Sequence, residues 1–271
     1  TNSYSDMNLD LLCKQVIEIS EEVGSFLLSQ DLSLEDIEEK SLNNLVTHVD
    51  KHAEGLFVSR LKELVPEAGF IAEEGTGSPS EDGFNWIIDP LDGTTNYIHQ
   101  IPFFCTSVAL IKNNELILGV IHDPNHEHTF HATKGGGAWL NSRTIQVSAN
   151  KKLQSSLLAT GFPYDDFGRE DAYMELLKDF TKNTRGIRRL GSAALDLAYV
   201  AWGKFDSFYE YGLNPWDVAA GLLIVKEAGG TCSGFQLEGD PLFGEDVVAS
   251  SKDIHDQILA TIKRYFPDIQ G

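Results

Sequence analysis

The stretch Trp86–Tyr97, WIIDPLDGTTNY, constrains this chain more than any other. Trp86-Ile87-Ile88 is a short apolar run that reads as a buried strand. The strand is expected to end at Asp89, where Pro90 fixes the backbone and removes a donor. Asp92 follows three residues after Asp89, and Gly93-Thr94-Thr95-Asn96 comes at once. The two carboxylates and the Leu91 carbonyl are hard oxygen ligands of the kind Mg²⁺ prefers. The N–H groups of Gly93 to Thr95, if they open a helix, can receive phosphate.

Charge narrows what such a site can meet. The formal net charge is −20, from 41 acidic and 21 basic residues. A surface of that sign repels nucleic acid and anionic membranes, so no direct nucleic-acid binding is expected. It also repels a phosphate ester, so phosphate chemistry here needs a local reversal of sign, which bound cations supply. At 271 residues and 42% hydrophobic the chain can bury a sizeable core, as one large domain or two intimately packed ones. Cys13, Cys105 and Cys232 are far apart without C-x-x-C pairing. They are expected to be reduced, mostly buried thiols of a cytoplasmic protein. No run approaches 18 apolar residues, so no membrane span is expected. The first residues lack a basic segment followed by an apolar one, so no secretory leader is expected.

Periodicity places the elements. Asp6 to Ser29 carries Leu9, Leu12, Val16, Ile19, Val23 and Phe26/Leu27 at helical spacing and reads as an amphipathic core helix. A polar linker, Asp31–Ser41, is expected next, then an extended piece, Leu45–Asp50. A second helix, marked by Ala53, Phe57, Leu61 and Leu64/Val65, stops at Pro66. Gly69–Ala72 reads as a strand that delivers Glu73 and Glu74 to a Gly/Ser/Pro-rich loop, Gly75–Gly83. Cys105–Lys112 and Leu116–His122 read as strands joined by a hairpin at Asn113-Asn114. Thr129–Thr133 and Ala138–Val147 read as further strands around Gly135-Gly136-Gly137. No helix pattern or Lys-Ser/Thr follows those glycines, so a β-turn is expected rather than a phosphate loop. Beyond residue 150, strands and helices alternate. The strands are Ser156–Thr160, Gly186–Leu190, Phe205–Glu210 and Val247–Ser250; the helices are Glu170–Lys182, Ser192–Trp202, Pro215–Glu227 and Asp253–Tyr265. The expected class is α+β, a single unit over 1–271. Its two subregions are a mostly antiparallel metal-binding part, about 1–150, and a smaller α/β part, 151–271.

Four carboxylates stand where elements end: Glu73, Asp89, Asp92, and Asp217 in Asn214-Pro215-Trp216-Asp217. Each has a plain alternative, Glu73 as a solvated loop acid and Asp217 as a first-turn acid behind a helix-starting Pro215. Together they could hold two or three Mg²⁺ ions, which activate water and neutralise a phosphoryl group.

Phe70-Ile71-Ala72-Glu73-Glu74, Trp86 to Asn96, Arg189-Leu190-Gly191-Ser192-Ala193-Ala194 and Asn214 to Gly221 closely resemble, in order, the signatures of the inositol monophosphatase family. The resemblance runs from about Leu9 to the C-terminus. It implies a layered α-β-α-β-α sugar-phosphatase fold, usually dimeric, and Mg²⁺-dependent, lithium-sensitive hydrolysis of a polyol phosphate such as myo-inositol 1-phosphate. It places Glu73, Asp89 and the Leu91 carbonyl on a first metal, and Asp89, Asp92 and Asp217 on a second. Glu73 helps hold a weaker third. Thr94, oriented by Asp50, would position the attacking water, and the Gly93 and Thr94 N–H groups would take the phosphate. Asp92, Ala193, Glu210 and Asp217 would contact the alcohol. One departure is visible: many relatives have Asp-Leu-Val-Thr where this chain has Asn44-Leu45-Val46-Thr47.

Rival readings differ in spacing or in class. Phosphatases that form an aspartyl phosphate set their acids two residues apart, Asp-x-Asp-Gly-Thr, whereas Asp89 and Asp92 are three apart. Within the resembling family, fructose 1,6-bisphosphate and histidinol phosphate are alternative substrates. Thr95-Asn96 is similar to the inositol phosphate branch, where the adenosine 3′,5′-bisphosphate branch commonly has Lys-Glu. A non-enzymatic regulatory protein with a protein partner is the third reading.

Overall fold

The computed structural model describes residues 7–30, 37–41, 44–81, 83–163 and 168–267. Helix α1 (Leu9–Leu28) is capped by Asn8, whose side chain accepts from Leu11 N–H at 3.0 Å. It buries Leu12, Val16, Ile19, Val23 and Leu27, the predicted stripe, and Asp6 lies outside the described residues. Residues 31–36 of the expected linker also lie outside them. The rest of it, Ile37–Ser41, is a strand, β1, paired antiparallel with β2 (Asn44–Thr47). The linker reading fails there because a four- or five-residue ribbon carries too few apolar positions to show alternation. Helix α2 (His48–Leu64) starts earlier than expected, so Asp50 sits in its first turn rather than on an extended piece.

A seven-stranded sheet follows, in spatial and sequence order: β3 (Gly69–Ala72), β4 (Phe84–Asp92), β5 (Cys105–Lys112), β6 (Glu115–Asp123), β7 (His128–Thr133), β8 (Ala138–Leu140) and β9 (Arg143–Thr144). Only the β3–β4 pair is parallel. The hairpin at Asn113-Asn114 uses φ of 48° and 64°, the left-handed geometry that asparagine tolerates and a two-residue turn requires. Ala138–Val147 is two short strands, β8 and β9, not one, because Asn141 turns the chain at φ 53°. Gly136 N–H closes the expected turn on the Thr133 carbonyl at 2.8 Å.

The second sheet is mixed. Strand β10 (Leu157–Thr160) leads to helix α4 (Glu170–Asn183), strand β11 (Gly186–Arg188), helix α5 (Ala193–Ala201), strand β12 (Ser207–Tyr211) and helix α6 (Pro215–Glu227). Strands β13 (Gly230–Ser233) and β14 (Asp246–Ser251) and helix α7 (Lys252–Tyr265) complete it, in the order β11-β10-β12-β14-β13. β13 was not expected, because Gly-Thr-Cys-Ser has no apolar alternation.

The layers follow from which faces are apolar. In β4, Trp86 and Ile88 face the core shared with α1 and α2, while Ile87 faces the core shared with α5 and α6. A strand buried on both faces reads as a continuous apolar run. Helices α5 and α6 lie between the two sheets, and α4 and α7 cover the far face of the second, giving α-β-α-β-α. Close approach of α6 to the sheet depends on Gly119 of β6, where a Cβ would meet the Ala220 carbonyl oxygen at 2.9 Å. Among the described residues no helix is long and apolar enough to cross a membrane.

Candidate active site

Strand β4 does not stop at Asp89; it continues to Asp92 with an irregularity between them. Asp89 pairs with Ser107 and Asp92 with Cys105. Three steps on β4 therefore match two on β5, which is one extra residue. A regular strand would send residues three apart to opposite faces. The extra residue returns Asp92 to the face of Asp89, the α6 side. A spacing of three with a bulge thus does what a spacing of two does in a straight strand.

Each acid has its own support. Leu91 N–H donates to Asp89 Oδ1 at 2.9 Å. Asp92 reaches the start of α5, where Ser192 Oγ donates to its Oδ2 at 2.6 Å and Ala194 N–H at 2.7 Å. Ser192 also caps that helix, accepting from Leu195 N–H at 3.3 Å. Asp217, behind Pro215 in the first turn of α6, accepts from Asn214 N–H at 2.7 Å. Carboxylate oxygens of Asp89, Asp92 and Asp217 lie within 4.8 Å of one another. Glu73, just beyond β3, brings its carboxyl beside that of Asp89.

Burial and crowding of like charges dominate the electrostatics of this cluster. Burial, with neighbouring acids adding, raises Asp89 and Asp217 well above the usual aspartate range. Burial also pushes Glu73 up to about 7 and Asp92 to about 6, with Ser192 and Ala194 pulling Asp92 back down. A divalent cation offsets that crowding of charge, and an all-oxygen donor set is the chemistry Mg²⁺ takes. The residues present therefore fit such an ion.

The acids open on a cleft of about 310 Å³. Every predicted site residue lines it except Asp50: Glu73, Asp89, Leu91, Asp92, Gly93, Thr94, Ala193, Glu210 and Asp217. Asp50 is buried behind the cleft, and its charge acts on Glu73. Thr94, in the five-residue helix α3 (Thr94–Ile98), donates its hydroxyl proton to the Leu91 carbonyl at 3.0 Å, not to Asp50 as expected. Gly93 has φ 95°, and a Cβ there would meet the Phe103 carbonyl at 3.0 Å, so glycine is required twice over. Glu210, on β12, is pushed up to about 8 by burial, against the pull of Arg189. Arg189 is the single Lys or Arg among the described residues lining the cleft, against seven acids.

Some contributors escape the sequence. Gly161 leaves room for the Glu210 carboxyl, whose atoms stand 2.2–2.4 Å from where a Cβ would sit. Asn96 donates to the Phe103 and Leu190 carbonyls at 2.7 and 2.8 Å, tying α3 to the turn before α5. Asp196 is buried in the wall with Oδ1 unpartnered. Glu54 is fully buried on α2. It lies four residues after Asp50 on the stripe of Phe57 and Leu61, a spacing that could have marked it.

Residues 9–266 match the profile of the inositol monophosphatase family. The chain belongs to that family. It is 41% identical over 241 residues to the Nus factor SuhB of Pseudomonas aeruginosa, covering 87% of this chain and 89% of that protein. It is 37% identical over 256 residues to a fructose-1,6-bisphosphatase/inositol-1-monophosphatase of Thermotoga maritima, covering 94% and 97%. The solved inositol monophosphatase of Anabaena superposes with a TM-score of 0.84 at 36% identity, covering 95% and 97%. Family membership supports a metal-dependent phosphatase, and this member has a cluster of three aspartates of the kind that can hold a metal ion.

Proposed function

We propose that this inositol monophosphatase family member hydrolyses a phosphate monoester of a polyol, with myo-inositol 1-phosphate as the preferred substrate. The observation that carries the reading is the bulge in β4, which turns Asp89 and Asp92 to one face opposite Asp217. Glu73, Asp89, Asp92, Asp217 and the Leu91 carbonyl would hold two to three Mg²⁺ ions. When bound, Mg²⁺ lowers the pKa of water and offsets phosphoryl charge. The protein's own groups do the rest. Gly93 and Thr94 N–H groups receive phosphate oxygens, and Thr94, with Asp50 behind it, orients the attacking water. The water oxygen bonds to phosphorus as the phosphorus–alcohol bond breaks, giving polyol and inorganic phosphate. Asp92, Ala193, Glu210 and Asp217 meet the alcohol. An alcohol rich in hydroxyl donors suits the acid-lined cleft better than a second phosphate does, with Arg189 the one Lys or Arg among the described lining residues.

The same reading takes residues 1–271 as one functional unit that is cytoplasmic, dimeric and inhibited by Li⁺. A second reading is favoured by the names of relatives. The Thermotoga protein's name includes fructose-1,6-bisphosphatase, and the Pseudomonas protein is named a Nus factor. The net charge of −20 directs any such regulatory role to a protein partner rather than to nucleic acid.

Phosphate release decides among these. The panel is myo-inositol 1-phosphate, fructose 1,6-bisphosphate, histidinol phosphate and adenosine 3′,5′-bisphosphate, each with Mg²⁺ and with EDTA. We expect Mg²⁺-dependent release, fastest from the inositol ester. Faster release from the bisphosphate moves the substrate to the alternative. No release from any ester moves the protein to the regulatory reading.

A further inference from the structure

We propose that Glu54 is a positioning residue for the metal site, holding Glu73 in place through the backbone of the turn that follows it. The inference rests on the cation reading of the cleft. Glu73 is fixed on one side only by the sheet: its N–H donates to the Ile88 carbonyl at 3.2 Å, which extends the β3–β4 ladder by one step. Past it the chain turns away from β4. Gly75 N–H returns to the Ala72 carbonyl at 3.1 Å, and Gly75 itself is exposed at φ 81°. The N–H groups of Glu74 and Thr76 leave the ladder altogether. Both point at Glu54: Glu74 N–H donates to Oε2 at 2.7 Å and Thr76 N–H to Oε1 at 2.8 Å.

One carboxyl group therefore clamps alternate N–H groups of the turn, with one oxygen for each. Glu54 has no exposed surface, and a buried carboxyl is costly unless its oxygens are used. It stands one helical turn after Asp50. Helix α2 thus holds the Glu73 turn with the same rigid element that carries Asp50. Groups that do not touch a metal but fix its ligands typically change metal affinity by roughly 10–100-fold when replaced.

A second clamp of the same chemistry serves as a control. Glu227, at the end of α6, accepts from Gly135 N–H at 2.8 Å and Gly137 N–H at 3.0 Å, and neither residue lines the cleft. In both cases Glu→Gln keeps the shape and turns one acceptor into a donor that faces an N–H.

The probe is Mn²⁺, titrated into chelator-treated full-length protein and followed by loss of the free-ion EPR signal. We expect Glu54→Gln to weaken Mn²⁺ binding by roughly tenfold or more. Glu227→Gln should lose stability to urea while binding Mn²⁺ like the wild type. Wild-type affinity in a folded Glu54→Gln protein overturns the inference alone, as does an equal loss in Glu227→Gln. Absence of Mn²⁺ binding by the wild-type protein overturns the cation reading of the cleft and takes the inference with it. If Glu54→Gln does not fold, the same criterion passes to Glu54→Asp, which keeps both oxygens on a stem too short to span both N–H groups.

Discussion

Replacing Glu210 by Gln should change how stability depends on pH, and the size of the change follows from where Glu210 sits. The residue is 7% exposed on β12, and burial lifts its pKa from 4.5 to about 8. The folded value is the higher one, so the native state holds a proton that the unfolded chain has released. The stability this confers is fully present below pH 4.5 and is lost as pH rises through 8. One pKa unit corresponds to about 1.36 kcal/mol. Between pH 5 and pH 8 the wild-type protein therefore loses roughly 3 kcal/mol through this group. Glutamine does not titrate. The difference in unfolding free energy, variant minus wild type, should grow by that amount across the window. The assay is urea unfolding in EDTA, followed by tryptophan fluorescence at pH 5, 6, 7 and 8. Acids common to both proteins cancel to first order in the difference. A difference that changes by less than about 1 kcal/mol would refute the assignment of Glu210 as a buried proton-holding group.

Three further outcomes are expected. Thr94→Ala should lower kcat by roughly 10²–10⁴-fold with KM little changed, since the lost hydroxyl acts on water; steady-state kinetics that show a change in KM alone contradict that role. Gly161→Ala should swing the Glu210 carboxyl out of its place and raise KM for the polyol ester several-fold. Its melting temperature should stay near wild type, because the atoms it meets end a side chain; an unchanged KM argues against Glu210 as an alcohol contact. Gly119→Ala meets backbone instead, the Ala220 carbonyl and Cα at 2.9 and 3.0 Å, and should cost about 1–3 kcal/mol in urea unfolding.

Much of the fold was legible because its strongest signals are local. Buried helices show their stripe over several turns, and β5 and β6 show long apolar runs with an asparagine pair between them. β1 and β13 were missed because short strands at the margins carry little apolar pattern. The acids of the site were legible as residues, since Asp89 and Asp92 flank Pro90-Leu91 with Gly93-Thr94-Thr95 directly beyond. Their convergence was not, because it depends on a one-residue bulge and on α6 reaching the sheet through Gly119. Glu54 was passed over for a different reason. An acid on the buried stripe of a helix looks like an interruption until its partners are known, and those partners are backbone N–H groups with no trace in the sequence. The direction of the Thr94 hydroxyl, towards the Leu91 carbonyl, is a local choice that the order of residues does not record.

The bonds from Ser192 and Ala194 to Asp92 join residues 100 and 102 positions apart, and Asp217 comes from further still. A chain that has folded only its first sheet owns Asp89 and Asp92 but lacks what braces the second and completes the cluster. Contacts of such long sequence separation form slowly, after the hairpins on either side have closed. The cleft is therefore complete only when the second sheet docks on the first. A cation that needs all three aspartates binds the docked form alone and draws the equilibrium toward it by mass action. Completion of the cleft and binding of the cation would then rest on the same three side chains.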